Sequence, residues 1–222
     1  MQLTEGIYSY IWHGIWENNS NMYYFANPLN LLIDPGMEYL FDTQTENLSE
    51  DGIKLTDVKY VLNTHCHPDH AEASAKFAER SDVTIGMHAD EIEFYKQTGE
   101  ETAKVINRKL KDIGIYKPFT EGALKINGEE LQILNTPGHT PGSMSIYWPA
   151  KKALACGDLL FDHSFNRRNL PGVDYQKLCA SIEKVLTLDV EYLMPGHAGI
   201  IITKPNVEAR LNQALEDFGM FT

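Results

Sequence analysis

Eight histidines occur in the 222-residue chain. Three of them fall in the stretch Asn63-Thr64-His65-Cys66-His67-Pro68-Asp69-His70. In an extended loop, residues 65, 67 and 69 point the same way. His70 then lies at the start of the helix that Pro68 opens and turns to a neighbouring face. Three imidazoles and a carboxylate crowded at one strand end are costly unless something compensates them, and a divalent cation does so directly. Neutral imidazole nitrogens and carboxylates suit zinc, iron or manganese. Two cations need more ligands than these four residues, and the chain offers three more. His139 sits in the Pro/Gly-rich loop Thr136–Gly142, Asp158 follows Cys156-Gly157, and His197 follows Pro195-Gly196. A lone loop histidine is more often a surface residue, so His139 and His197 gain their weight from the cluster and from their shared context.

That context is the end of a strand. Periodicity predicts strands at Gly6–Trp12, Met22–Ala26, Leu29–Ile33, Val58–Leu62 and Val83–Met87. A second set is predicted at Gly122–Ile126, Glu130–Asn135, Ser143–Trp148, Ala153–Cys156 and Tyr192–Met194. Helices are expected over Met37–Leu48, Pro68–Arg80, Ala89–Ile113 (broken near Thr98-Gly99), Tyr175–Leu186 and Lys204–Phe218. Every candidate ligand then lies just past the C-terminal end of a strand, where a rigid sheet makes loops converge. Two half-chains, each a sheet with helices on one face, would pack sheet to sheet as an αββα sandwich. The chain reads as one domain over residues 1–222, with a helical insert at about 89–119 that could serve as a lid or a homodimer surface.

Composition bounds the remaining possibilities. Apolar residues make up 43% and charged residues 23%, as in soluble globular proteins. No apolar run reaches the ~18–20 residues of a membrane span. The formal net charge of −12, without a basic patch, disfavours nucleic acid. The expected partner is a small molecule rather than a nucleic acid or a membrane. The N-terminus carries no signal-peptide pattern and the three cysteines no CxxC spacing, so a cytoplasmic location is expected. Cys66 should point away from its histidine neighbours as a packed thiol. His13, His88 and His163 are read as structural, with His163 a candidate partner of a ligand. The aromatic early hairpin, with Trp12 and Trp16, is read either as core or as a wall for substrate.

These motifs together resemble the metallo-β-lactamase superfamily. That family shows an Asp after an early strand, then HxHxDH, then His, Asp and His. Asp34, His65-x-His67-x-Asp69-His70, His139, Asp158 and His197 match it, from about Gly6 to the closing helix. The resemblance implies an α/β fold, a four-layer αββα sandwich of two mixed sheets with helices outside. It implies two divalent metal ions, zinc in the first place, with iron or manganese as alternatives. His65, His67 and His139 would hold one, Asp69, His70 and His197 the other, and Asp158 would bridge them. Asp34 would organise the loop. A metal-bound hydroxide would attack a small acyl substrate, with Asp69 as the catalytic residue that orients it or takes its proton.

The segments Gly138–Ser143, Cys156–Phe161 and Asn169–Gly172 resemble the glyoxalase II-like branch, whose members hydrolyse glutathione thioesters. The chain departs from that branch in having a single closing helix after His197. It also lacks basic glutathione-binding residues at matching positions, Arg167 and Arg168 being the nearest cationic pair. A small thioester, ester, lactone or amide is therefore the expected substrate class. One alternative is a persulfide dioxygenase with a single iron on His65, His139 and Asp158. Another is a non-catalytic metal-binding module.

Overall fold

The computed structural model describes residues 1–14, 16–105, 116–160 and 171–220, with backbone alone at 102, 103 and 105. The first sheet takes its strands in chain order: β1 (Gln2–Thr4), β2 (Ile7–Tyr10), β3 (Met22–Phe25), β4 (Leu31–Ile33), β5 (Tyr60–Leu62), β6 (Thr84–His88) and β7 (Lys117–Phe119). It is antiparallel from β1 to β4 and parallel from β4 to β7. The second sheet contains β8 (Gly122–Ile126), β9 (Glu129–Asn135), β10 (Met144–Trp148), β11 (Ala153–Gly157), β12 (Tyr192–Pro195) and β13 (Ile201–Ile202). Its spatial order is β13-β12-β11-β10-β9-β8. Only β11 and β12 are parallel, joined by a crossover through α4 (Tyr175–Leu186).

Period-two alternation sorts the side chains between layers. Leu31 and Ile33 of β4 face the core between the sheets, whereas Leu32 faces outward. Ala153 and Ala155 of β11 likewise face inward, and Leu154 and Cys156 outward. Ile7, Phe25 and Leu62 meet Ile133, Met144 and Trp148 between the sheets. The Phe25 and Trp148 rings lie 5.3 Å apart in a tilted pair. Outside the first sheet, Tyr24, Leu32 and Val61 pack with Phe77 and with Phe41 and Leu48 of α1 (Phe41–Glu50). Outside the second, Leu154 and Leu193 pack on Leu178 and Ile182 of α4 and on Val207 and Leu211 of α5 (Lys204–Gly219). The result is the expected αββα sandwich. Strands covered on both faces are largely apolar, which is why β3, β4 and β11 read as continuous runs and β10 as one interrupted only by Ser145, whose hydroxyl pairs with that of Thr136.

Some elements differ from expectation. The helix expected from residue 68 is a single α-turn, α2 (Pro68–Ala71), followed by a 3-10 segment, Glu72–Phe77. The long helix α3 (Ala89–Val105) passes through Thr98-Gly99 without a break. The Thr98 hydroxyl donates back to the Phe94 carbonyl at 2.9 Å, and Gly99 is buried. Of the insert expected at about 89–119, residues 106–115 lie outside the described residues. Its end forms β7, which extends the parallel part of the first sheet beside β6.

Candidate metal centre

The two sheets bring their C-terminal strand ends together at one place. The first sheet contributes the loop after β5 and the short helix α2, which carry His65, His67, Asp69 and His70. The second contributes His139 after β9, Asp158 after β11 and His197 after β12. All seven converge on one centre, and all but His197 are buried. His67 Nδ1 lies 3.0 Å from His65 Nε2 and 2.8 Å from His139 Nε2. The Asp69, His70 and His197 ligand atoms form a second group, with His197 Nε2 at 3.2 Å from Asp69 Oδ2 and 3.3 Å from His70 Nε2. Asp158 stands between the groups. Its Oδ2 is 3.5 Å from His139 Nε2, and its Oδ1 is 3.3 Å from His70 Nε2 and 3.5 Å from His197 Nε2.

Convergent ring nitrogens repel unless a proton or a cation lies among them. The electrostatics of the two groups differ. Burial disfavours a charged His65, and the neighbouring His70, His139 and His67 lower its pKa further, so its ring is neutral and free to ligate. Burial also acts against a charged His70, but the Asp158 and Asp34 carboxylates outweigh it and raise its pKa. Burial pushes Asp69 upward, yet the His197 hydrogen bond and the charges of His70 and His197 hold it well below the usual carboxylate range. Three imidazoles in one group, and two with a carboxylate in the other, form a donor set that fits divalent zinc, iron or manganese.

The surrounding residues fix these groups. Asp34 sits in the left-handed region (φ 51°), which Asp tolerates better than most residues. Its carboxylate accepts from Thr64 N and Thr64 Oγ1, both at 2.7 Å, and meets His70 Nδ1 at 2.9 Å. It thus holds the His70 ring so that Nε2 faces the centre, a role that second partners of ligand histidines commonly fill. Asn21 N donates to the Gly196 carbonyl, and its side-chain amide donates to the carbonyls of Pro195 and Ala198. The loop carrying His197 is therefore anchored by the opposite sheet.

Sequence reasoning missed two residues here. Asn18 donates its side-chain amide to Asp69 Oδ2. Glu91, in the first turn of α3, is fully buried and accepts three hydrogen bonds. A signal for Glu91 existed: it lies on the helical stripe with Phe94 and Thr98, where a carboxylate is out of place.

Cys66 packs with Ala71, Met87 and Phe94 as a buried thiol, and burial raises its pKa, so it is not an activated nucleophile. Trp16 is 91% exposed, whereas Tyr23 and Tyr24 of the same hairpin are core. His163, Arg167 and Arg168 lie outside the described residues.

The family model of the metallo-beta-lactamase superfamily matches residues 16–197. The chain belongs to the metallo-β-lactamase superfamily. Among its curated relatives, a probable metallo-hydrolase of Methanocaldococcus jannaschii, MJ0888, is 32% identical over 82% of this chain and 89% of its own. The hydroxyacylglutathione hydrolase GloC of Haemophilus influenzae is 30% identical over 82% of each chain. These relatives support the glyoxalase II-like branch of the superfamily. A solved structure of TTHA1623 in a di-iron-bound form is 30% identical, with a TM-score of 0.66 over 82% of this chain and 87% of that one. The metallo-β-lactamase family protein TTHA1429 of Thermus thermophilus has a TM-score of 0.78 over 99% of this chain and 81% of that one. At 22% identity it bears on the fold alone. Metallo-β-lactamase folds bind metal ions, and the His/Asp groups described here lie where the two sheets of this one meet.

Proposed function

We propose that the protein is a dinuclear metal-dependent hydrolase of small acyl substrates of the thioester or ester type. The observation that carries this reading is the presence of two ligand groups, His65/His67/His139 and Asp69/His70/His197, with the Asp158 carboxylate within 3.5 Å of a ring nitrogen of each. His65, His67 and His139 would hold one divalent cation, Asp69, His70 and His197 the other, with Asp158 reaching both. Two bound cations lower the pKa of a water and polarise an acyl carbonyl. The chain's own residues do the rest. Asp34 keeps His70 turned inward. Asp69, held ionised by His197 and His70, would orient the attacking water by accepting a hydrogen bond from it. Burial of the three-histidine group keeps bulk water out. No serine or cysteine nucleophile is needed, consistent with the buried thiols of Cys66 and Cys156, whose pKa values burial raises.

The GloC relative's name favours a thioester. The di-iron form of TTHA1623 makes iron a metal to test beside zinc and manganese. A single-iron oxygenase on His65, His139 and Asp158 would leave the Asp69, His70 and His197 group empty of metal, so occupancy of that second group separates the two readings. The test is elemental mass spectrometry of protein purified without chelator or added metal, followed by assay of a thioester, ester and lactone panel. Two divalent ions per chain and thioester turnover are expected. One iron per chain with oxygen uptake on a persulfide would replace the reading with the oxygenase. Full metal loading without turnover on any substrate would leave a metal-binding module, and no metal at all would overturn the site.

A further inference from the structure

Glu91 is a carboxylate at 0% exposure with no cation paired to it among the described residues. Its oxygens accept from two ligand-bearing loops. Oε1 accepts from the backbone N–H of Cys66, the residue between His65 and His67, at 2.9 Å. Oε2 accepts from Thr140 Oγ1 at 2.7 Å and from Gly142 N at 3.0 Å, in the loop that follows His139. The fit is close: a Cβ on Gly142 would run into the backbone of Glu91 itself. Three residues further along α3, Phe94 packs with the Cys66 side chain. The two backbone N–H groups cannot turn away, so both sides require an acceptor oxygen. A carboxylate supplies two acceptor oxygens, whereas an amide supplies one.

We infer that Glu91 is a positioning residue of the metal centre, a clamp that ties the His65–His67 loop to the His139 loop and sets the spacing of the three imidazoles. This rests on the proposed metal reading and adds a residue outside the seven ligands. The test is cobalt(II) and zinc(II) titration of metal-free protein, made in a His197→Ala background so that the three-histidine group is read by itself. Adding Glu91→Gln should weaken binding about 10- to 100-fold, as loss of a ligand's outer partner typically does. The cobalt absorption bands should shift with it.

Asp51→Asn serves as the control for general loosening, because it removes contacts to Tyr10 and the N-terminus on another element. Its affinity and spectrum should stay unchanged. Where Glu91→Gln does not fold, Glu91→Asp keeps the carboxyl group but is too short to span both loops, and an intermediate loss is expected. Unchanged affinity and spectrum in the Glu91 variants, with metal bound normally by the parent, would overturn the clamp and leave the site reading intact. An equal loss in Asp51→Asn would also overturn the clamp. A wild-type chain that binds neither metal would overturn both.

Discussion

Asp158 carries the sharpest consequence of the site. Its two oxygens face different ligand groups, so no neighbour can replace it when it is removed. Asp158→Ala should lower turnover by more than the ~10–100-fold that loss of an outer partner costs, and metal content should fall below that of the wild type. Elemental analysis beside the thioester assay checks this, and wild-type turnover in the variant would remove Asp158 from the mechanism. Four of the seven candidate ligands could be picked out from their residue types, because HxHxDH after a buried strand has few other uses, whereas His139, Asp158 and His197 followed from their places at strand ends and from the family resemblance. Asn18 and Glu91 could not be picked out so easily. Asparagine in a polar loop is ordinary, and the helical stripe that Glu91 shares with Phe94 and Thr98 marks it as out of place without saying what it binds; the three-dimensional approach of Asp69, Cys66 and Thr140 gives both residues a task.

The elements hold these residues through close loop packing. Gly196, just before His197, sits so tightly that a Cβ there would lie 2.5 Å from both Asp158 Oδ1 and His70 Cε1. Gly196→Ala should therefore keep its secondary structure but lose metal from the second group, with an overpacking cost of about 1–3 kcal/mol. Circular dichroism with metal stoichiometry tests this, and two tightly held ions in the variant would contradict the crowding. Strands buried on both faces were readable because apolar runs leave few alternatives. Three of the four edge strands, β1, β7 and β13, were not, being two or three residues long and partly exposed, so that pairing rather than local pattern defines them; the fourth, β8, is five residues long and was. The uninterrupted α3 shows the reverse case. Glycine in a helix costs about 1 kcal/mol, which tertiary packing of a buried face overrides.

At the scale of the whole molecule, the proposed ions join the two sheets. A ligand that binds only the folded state at ~100 times its Kd adds about 2.7 kcal/mol of stability. For a chain of this size each kcal/mol moves the melting temperature by roughly 2–4 °C. Removing metal by chelation and dialysis should therefore lower the Tm by about 5–10 °C, and re-addition should restore it. Differential scanning calorimetry provides the measurement. An unchanged Tm after verified metal removal would mean that the ions bear no part of the link between the sheets.

Among the described residues the chain passes from one sheet to the other once, at residues 120–121, both of which are exposed. Among the described residues, every strand before that point belongs to the first sheet and every strand after it to the second. The candidate ligands divide along the same line, with His65, His67, Asp69 and His70 before it and His139, Asp158 and His197 after it. A cut at this one peptide bond would yield two pieces, neither of which owns a full ligand set for either ion. The proposed active site thus belongs to the seam between them, and its chemistry would begin only when both pieces share the same metals.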